Sequence, residues 1–268
     1  MISIKHNSKG EAVEATGLRT RKSSIYTPNQ EGTFRISRSK FSDFLACRRC
    51  FYLDRVKGVM SPSTPGWSLN ETTDILLKKE FDVCRQEQIP HRLFIISGLN
   101  NVVPFKHEKM DDWRDSLHHG LEYQVRDSNI ILHGGVDDIW FDLDSEELIV
   151  VDYKSQASRY PVETQSYLSG VYHQGYKIQM DVYAYLLTEM GFPVSDTAYF
   201  YVCNGDRDAF EFNGHISFSE TLVPYKWDIS WIDQQLTLMS GVLNDTTLPE
   251  FNSSCENCAY SHQRALIE

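Results

Sequence analysis

The amino-acid sequence predicts an α/β or α+β fold, a central mixed β-sheet flanked by helices, and three observations carry that expectation. Residues 121–127, 130–141 and 147–154 are short runs rich in β-branched and aromatic residues, parted by the polar breaks Asp127-Ser128-Asn129 and Asp142-Leu143-Asp144-Ser145. Apolar residues recur at helical spacing on either side of these runs, before them over 37–52 and 69–88 and after them over 175–190 and 230–243. A chain of 268 residues, 41% hydrophobic and 12% aromatic, is also long and apolar enough to fill one core.

Each element has its own local reason. Residues 1–34 are polar and lack a sustained period, so they are expected to form a flexible N-terminal tail ahead of a folded domain at 35–268. From Ser37, the positions of Phe41, Phe44, Leu45 and Tyr52 mark one helical face, with Ser37 or Ser39 as its cap, and the segment SPSTPGW ends this unit. Leu69 to Gln88 reads as a second helix in which Ile75, Leu76, Lys79 and Phe81 interleave apolar and charged positions, and Pro90 stops it. The three strand-like runs read as an antiparallel meander. A helix over 175–190, apolar stretches at 197–203 and 209–218, and a final helix over 230–243 complete the pattern, with no internal repeat.

Charge narrows the function classes. A net charge of −11 excludes a protein that coats nucleic acid through bulk electrostatics, because every phosphate contact needs local positive charge. A local patch exists, however. Residues 35–57 hold Arg35, Arg38, Lys40, Arg48, Arg49, Arg55 and Lys57 against only Asp43 and Asp54, which makes Arg48 and Arg49 candidate nucleic-acid contacts. No apolar run approaches the roughly 20 residues that span a bilayer, and the N-terminus lacks the apolar centre of a signal peptide. A soluble, cytoplasmic protein with no membrane partner is expected.

The chemistry concentrates at two places. Gly134-Gly135-Val136-Asp137 sits at a bend, and the buried-looking strand Ile149-Val150-Val151 runs abruptly into Asp152-Tyr153-Lys154. Residues two apart on a strand share a face, so Asp152 and Lys154 point the same way and a neighbouring strand can bring Asp137 alongside. Two close carboxylates suit a hard divalent cation such as magnesium, and an adjacent lysine can orient water and offset charge developing at phosphorus. The plain alternative is a surface ion pair beside two turn aspartates, Asp137 and Asp138. Against it stand Gln179 and Tyr183, four apart on one face of the following helix and both able to donate hydrogen bonds to a phosphate or base.

The second place is cysteine. Four of the six cysteines form two pairs, Cys47-Arg48-Arg49-Cys50 and Cys255-Glu256-Asn257-Cys258, a spacing that in an intracellular protein favours a four-thiolate metal site over disulfides. Closing a loop of about 205 residues makes such a site structural. Cys84 and Cys203 sit in apolar settings and are expected to be buried thiols, while the adjacent His118 and His119 read as exposed loop histidines.

Taken in order, Gly134 to Asp137, then Asp152-Tyr153-Lys154, then Gln179 to Tyr183 resembles the PD-(D/E)xK nuclease superfamily, in particular its RecB-type branch, over roughly residues 36–262. The resemblance implies a restriction-endonuclease-like core and a DNA nuclease, an exonuclease, dependent on Mg2+ or Mn2+. It implies Asp137, Asp152 and the main-chain carbonyl of Tyr153 as metal ligands, Lys154 as the catalytic lysine, and Gln179 and Tyr183 as DNA contacts or supports. An early-helix ligand is expected at Asp74, with Glu80 as second choice. Its CRISPR-associated and AddB-like members pin their termini with an iron–sulfur cluster, but on one early and three late cysteines, whereas this chain has two and two; an iron–sulfur cluster at Cys47, Cys50, Cys255 and Cys258 is expected, with zinc as the alternative. DNA is the implied partner, with a helicase or another DNA-processing protein beside it. A non-catalytic DNA-end-binding or scaffold module of the same fold is the rival reading, and a zinc-ribbon protein would leave the carboxylate and lysine series unexplained.

Overall fold

The computed structural model describes residues 3–62 and 68–268, so of the SPSTPGW segment all but Ser61 and Pro62 lies outside the described residues. In chain order the strands are β1 (Phe34–Ser37), β2 (Val102–Pro104), β3 (Leu121–Gln124), β4 (Ile130–Gly134), β5 (Asp138–Asp142), β6 (Glu147–Gln156), β7 (Thr197–Gly205) and β8 (Phe218–Lys226). The helices are α1 (Arg38–Ala46), α2 (Arg48–Arg55), α3 (Ser68–Glu87), α4 (Arg92–Ile96), α5 (Met110–Arg114), α6 (Thr164–Ser169), α7 (Gln174–Glu189), α8 (Ile232–Asn244) and α9 (Glu256–Ile267). The chain divides into two compact units, one of Met1–Gly66, Gln124–Leu132 and Asp233–Glu268, the other of Trp67–Tyr123 and His133–Ile232. No helix among the described residues is long and apolar enough to cross a membrane.

In the first unit, Ser37 caps α1 by accepting from the Lys40 amide at 3.3 Å, as its position ahead of the apolar face requires. Phe41, Phe44 and Phe51 are buried between α1 and α2, with the rings of Phe44 and Phe51 edge-on at 5.5 Å. The stretch expected as a flexible tail is fastened here from Arg19 onward. Arg19 Nε donates to Asp54 at 2.5 Å, and the Tyr26 ring is buried, its hydroxyl donating to Asn244 Oδ1 at 2.9 Å. Mean composition hides this, because two buried aromatics, Tyr26 and Phe34, are enough to anchor an otherwise polar segment. Asp54 also takes Lys40 and Arg55, so part of the basic run at 35–57 is neutralised internally.

In the second unit the sheet order is β2-β5-β6-β7-β8. Pairing is antiparallel except between β6 and β7, which run parallel with Asp152 beside Phe200 and Lys154 beside Val202. The sheet is therefore mixed; of the expected meander, β5 pairs antiparallel with β6 here, while β3 and β4 pair with each other in a separate three-stranded sheet. The run 130–141 is not one strand: it breaks at Gly135-Val136-Asp137, and β4 lies outside the five-stranded sheet to which β5 belongs. Gly135 makes the break, since a Cβ there would lie 2.6 Å from Ser116 Cα. The second apolar stretch expected at 209–218 starts a strand only at its last residue, because Phe210 and Phe212 are exposed and the sheet's next strand is β8. Helix α9, which sequence periodicity did not disclose, follows the second cysteine pair.

Strand β6 places the site. Its alternate residues Ile149, Val151 and Tyr153 join a core with Leu77 and Phe81 of α3, Trp140 of β5 and Tyr201 of β7. The intervening residues Val150 and Asp152 are fully buried on the other side, toward α7. Burying a carboxylate in that position is costly unless it is paired or binds a cation.

Candidate active site and metal centre

Asp152, Lys154, Asp137 and Asp74 are brought to one place in the second unit. Asp137 sits in the bend between β4 and β5, where its Oδ2 accepts the Tyr153 amide at 2.8 Å. Asp152 is fully buried, and its Oδ1 accepts Gln179 Nε2 at 2.7 Å. Its Oδ2 accepts no hydrogen bond of ordinary geometry; the Lys154 ammonium lies against it, and the Asp137 carboxylate bears on the same group. Lys154 Nζ also lies 4.6 Å from the centre of the Tyr176 ring and 3.5 Å from the Tyr153 carbonyl.

Beside this cluster opens a cleft of 760 Å³ lined by Asn70, Glu71, Asp74, Asp137, Tyr153 and Tyr176. Asp74 reaches it from α3, with its carboxylate paired to Lys78 one turn on at 2.9 Å. Burial pushes the Asp74 carboxyl up, and the charge of Asp137 adds to the rise. Burial likewise pushes Asp152 up, to about 7, with Lys154 opposing and Asp137 reinforcing. Burial alone would pull Lys154 down, but Asp152 and Asp137 more than restore it and hold it above the usual lysine value. Three carboxylates, Asp74, Asp137 and Asp152, against two ammoniums, Lys78 and Lys154, leave excess negative charge in the cleft. With hard oxygen donors and a buried Asp152 Oδ2 that accepts no ordinary hydrogen bond, this donor set fits a divalent cation of the magnesium type.

Glu80, the second choice for the early-helix ligand, is engaged elsewhere. It accepts His91 Nε2 at 2.9 Å and Arg92 Nε at 2.7 Å; partial burial pushes its carboxyl up, but these two donors outweigh it and hold the carboxyl below the ordinary value. Arg92 in turn donates both ends of its guanidinium to Glu220 at 2.6 Å.

Gln179 and Tyr183 are buried rather than presented to solvent. Gln179 Nε2 donates to both Asp152 and the Tyr183 oxygen (3.1 Å), and the Tyr183 hydroxyl donates to the Gly135 carbonyl at 2.5 Å. One face of α7 therefore holds the acidic strand β6 and the glycine bend that carries Asp137. Two neighbours escaped the reading of the sequence. Tyr176 is three residues before Gln179 on the same helical face, a periodicity that extends the pair by one turn. Asp138, a turn residue only on the plain alternative, is fully buried and receives Arg85 and the Tyr153 hydroxyl (2.7 Å), contacts between residues too distant in the chain to be paired by inspection.

The four paired cysteines meet within the first unit. Their Sγ atoms all lie within 4.8 Å of one another, with Cys47 to Cys258 and Cys50 to Cys255 at 3.6 Å and Cys50 to Cys258 at 3.5 Å. Cys47 caps α2 and Cys255 caps α9. Burial raises the Cys50 thiol, and Cys258, Cys255 and Cys47 raise it further, as expected of sulfurs crowded without a cation. Arg48 stacks over the Phe44 ring at 5.4 Å, and Arg49 donates to the Pro249 carbonyl at 3.3 Å. Of the other cysteines, Cys203 is buried as expected and Cys84 is half-buried, while His118 and His119 are both exposed.

The mixed sheet carries Asp152 and Lys154 on β6, with Asp137 in the bend before β5, and α7 supports both places. The PD-(D/E)XK nuclease superfamily model matches residues 69–263, and the chain belongs to that superfamily, whose members use divalent metals. No curated protein matches the chain. Among solved structures, a putative exonuclease from Eubacterium rectale is 12% identical with a TM-score of 0.39, covering 89% of this chain and 88% of its own. SSO0001 is 14% identical with a TM-score of 0.38, covering 88% and 87%.

Proposed function

We propose that the protein is a DNA nuclease that hydrolyses phosphodiester bonds with Mg2+ or Mn2+ at the Asp137, Asp152 and Lys154 site. The observation that carries the reading is the convergence of these three side chains beside an open cleft, with each carboxylate held by its own donor: the Tyr153 amide for Asp137 and the Gln179 amide for Asp152. Superfamily membership supports the same reaction class.

Asp137, Asp152 and the main-chain carbonyl of Tyr153 are the residues to hold the cation, with Asp74 closing the far side of the cleft. When bound, a divalent cation acidifies coordinated water and offsets charge on the phosphate. Lys154 keeps its proton in this setting, so its role is electrostatic: it orients the attacking water and balances charge that develops at phosphorus. Gln179 and Tyr183 position, since neither reaches solvent; they hold the acids at the separation the cation needs. Of the two roles expected of them, DNA contact or support of the site, this reading takes support. DNA is read to occupy the cleft lined by Asn70 and Tyr176 beside the acids.

The test is cleavage of labelled linear and circular DNA by the full chain, with and without Mg2+ or Mn2+, and with Lys154→Ala as control. Metal-dependent cleavage that disappears in the variant is the expected result, and digestion of linear but not circular DNA marks exonuclease action. Cleavage retained by folded Lys154→Ala sinks the assignment; no cleavage by the folded, metallated wild type turns the reading to a DNA-end-binding module.

A further inference from the structure

We propose that Cys47, Cys50, Cys255 and Cys258 hold a single zinc ion in four-thiolate coordination, and not the iron–sulfur cluster that the family resemblance implies. The argument is one of size. A tetrahedral ion with bonds of about 2.3 Å sets its ligand sulfurs about 3.8 Å apart. In a four-iron cluster each thiolate holds a different iron, so neighbouring ligand sulfurs stand roughly 6 Å apart. The cysteine sulfurs here lie 3.5 and 3.6 Å apart at three of their edges and nowhere beyond 4.8 Å. That cage matches one ion and has no room for four irons and their sulfides.

The polypeptide sets these distances independently of the sulfurs. Asn252 Nδ2 donates to the Ala46 carbonyl at 3.0 Å and Arg49 Nη1 to the Pro249 carbonyl at 3.3 Å, so the segments before the two cysteine pairs are fastened main chain to side chain. Each pair has the same local form: its first cysteine caps a helix and its second lies in the first turn. The Cys50 amide donates to Cys47 Sγ at 3.5 Å, and Cys255 stands at the matching N-cap position of α9 without a side-chain capping bond. Two helix N-termini and their amides thus face the sulfurs, an arrangement that favours thiolate and compensates the charge of a tetrathiolate ion.

Zinc rather than a lone iron follows from affinity. In a site of given shape zinc lies above iron(II) in the order of divalent ions. Four protein thiolates also leave no open position, which makes the ion structural. Nothing in this argument uses the nuclease reading, and its test does not measure cleavage.

The experiment is metal analysis of the full chain, made without a histidine tag from cells supplied with both iron and zinc and purified anaerobically. Elemental analysis, acid-labile sulfide and the visible spectrum are read together. The expected result is one zinc per chain, no labile sulfide and a colourless protein, with zinc replaceable by cobalt to give the visible bands of tetrahedral thiolate cobalt. Cys258→Ser loses the zinc and Cys84→Ser keeps it. Iron with labile sulfide, one iron without sulfide, no bound metal, or undiminished zinc in Cys258→Ser each overturns the proposal; the wild-type measurement stands even where Cys258→Ser does not fold.

Discussion

The two candidate metal centres of this chain are built on opposite plans. In the sheet-bearing unit the acids sit on a strand and its neighbouring bend, every orienting atom is hydrogen-bonded from behind, and one face stays open to a cleft. In the other unit four thiols come from two helix starts about 205 residues apart and crowd together, Cys47 and Cys258 buried and Cys50 and Cys255 partly so. An open set of hard oxygens on a rigid sheet serves turnover, while a closed set of soft sulfurs serves attachment. Burial is used differently too. Asp152 is sealed so that its charge demands a cation, whereas Cys47 and Cys258 are sealed so that theirs is not exchanged.

The contrast breaks most sharply at Lys154. Lys154→Ala is expected to lower the cleavage rate by about three orders of magnitude, the upper range for loss of one charge-stabilising group. DNA affinity measured by fluorescence anisotropy stays within about twofold, since Lys154 is largely buried and few contacts can depend on it. Next comes Cys258→Ser, which should destabilise the fold by about 4–5 kcal/mol through loss of the long closed loop. Urea unfolding reads this directly, and the rate per folded molecule should hardly move. A large fall in that rate at low temperature would mean that the thiol site takes part in turnover.

Gln179→Leu sharpens the comparison from the other side. It keeps the volume but removes the donor to Asp152, and kcat is expected to fall about 10- to 100-fold with KM for DNA unchanged. The smallest effect separates the two early-helix acids. Asp74→Asn should raise the Mg2+ concentration for half-maximal rate about tenfold, and Glu80→Gln should leave it within about twofold. The reverse ranking would place the missing ligand at Glu80.

Much of this was legible because the relevant signals are local. Asp152 and Lys154 follow from strand alternation, Gln179 and Tyr183 from helical spacing, and the cysteine pairs from two three-residue intervals. The early helix was foreseen nearly to its bounds, Leu69–Gln88 against Ser68–Glu87, because Pro90 and a sustained apolar period mark it. What escaped depended on distant partners. The burial of Asp138 needs Arg85, Arg114 and Tyr153 from three other elements. The end of β4 needs Ser116 pressed against Gly135. The misplaced last strand and the exposed Phe210 show the other limit, that an apolar residue predicts burial only where something arrives to cover it. Helix α9 has too few apolar residues for its period to register; only Cys258 in it is buried.

The long separation of the cysteine pairs also imposes an order in time. A ribosome finishes every residue of the sheet-bearing unit, which ends at Ile232, before it makes Cys255 and Cys258. On the growing chain the acids, the lysine and their supporting helix are therefore complete while the thiol clasp is still half made. An ion that needs all four thiols is therefore enclosed only after Cys258 has been made.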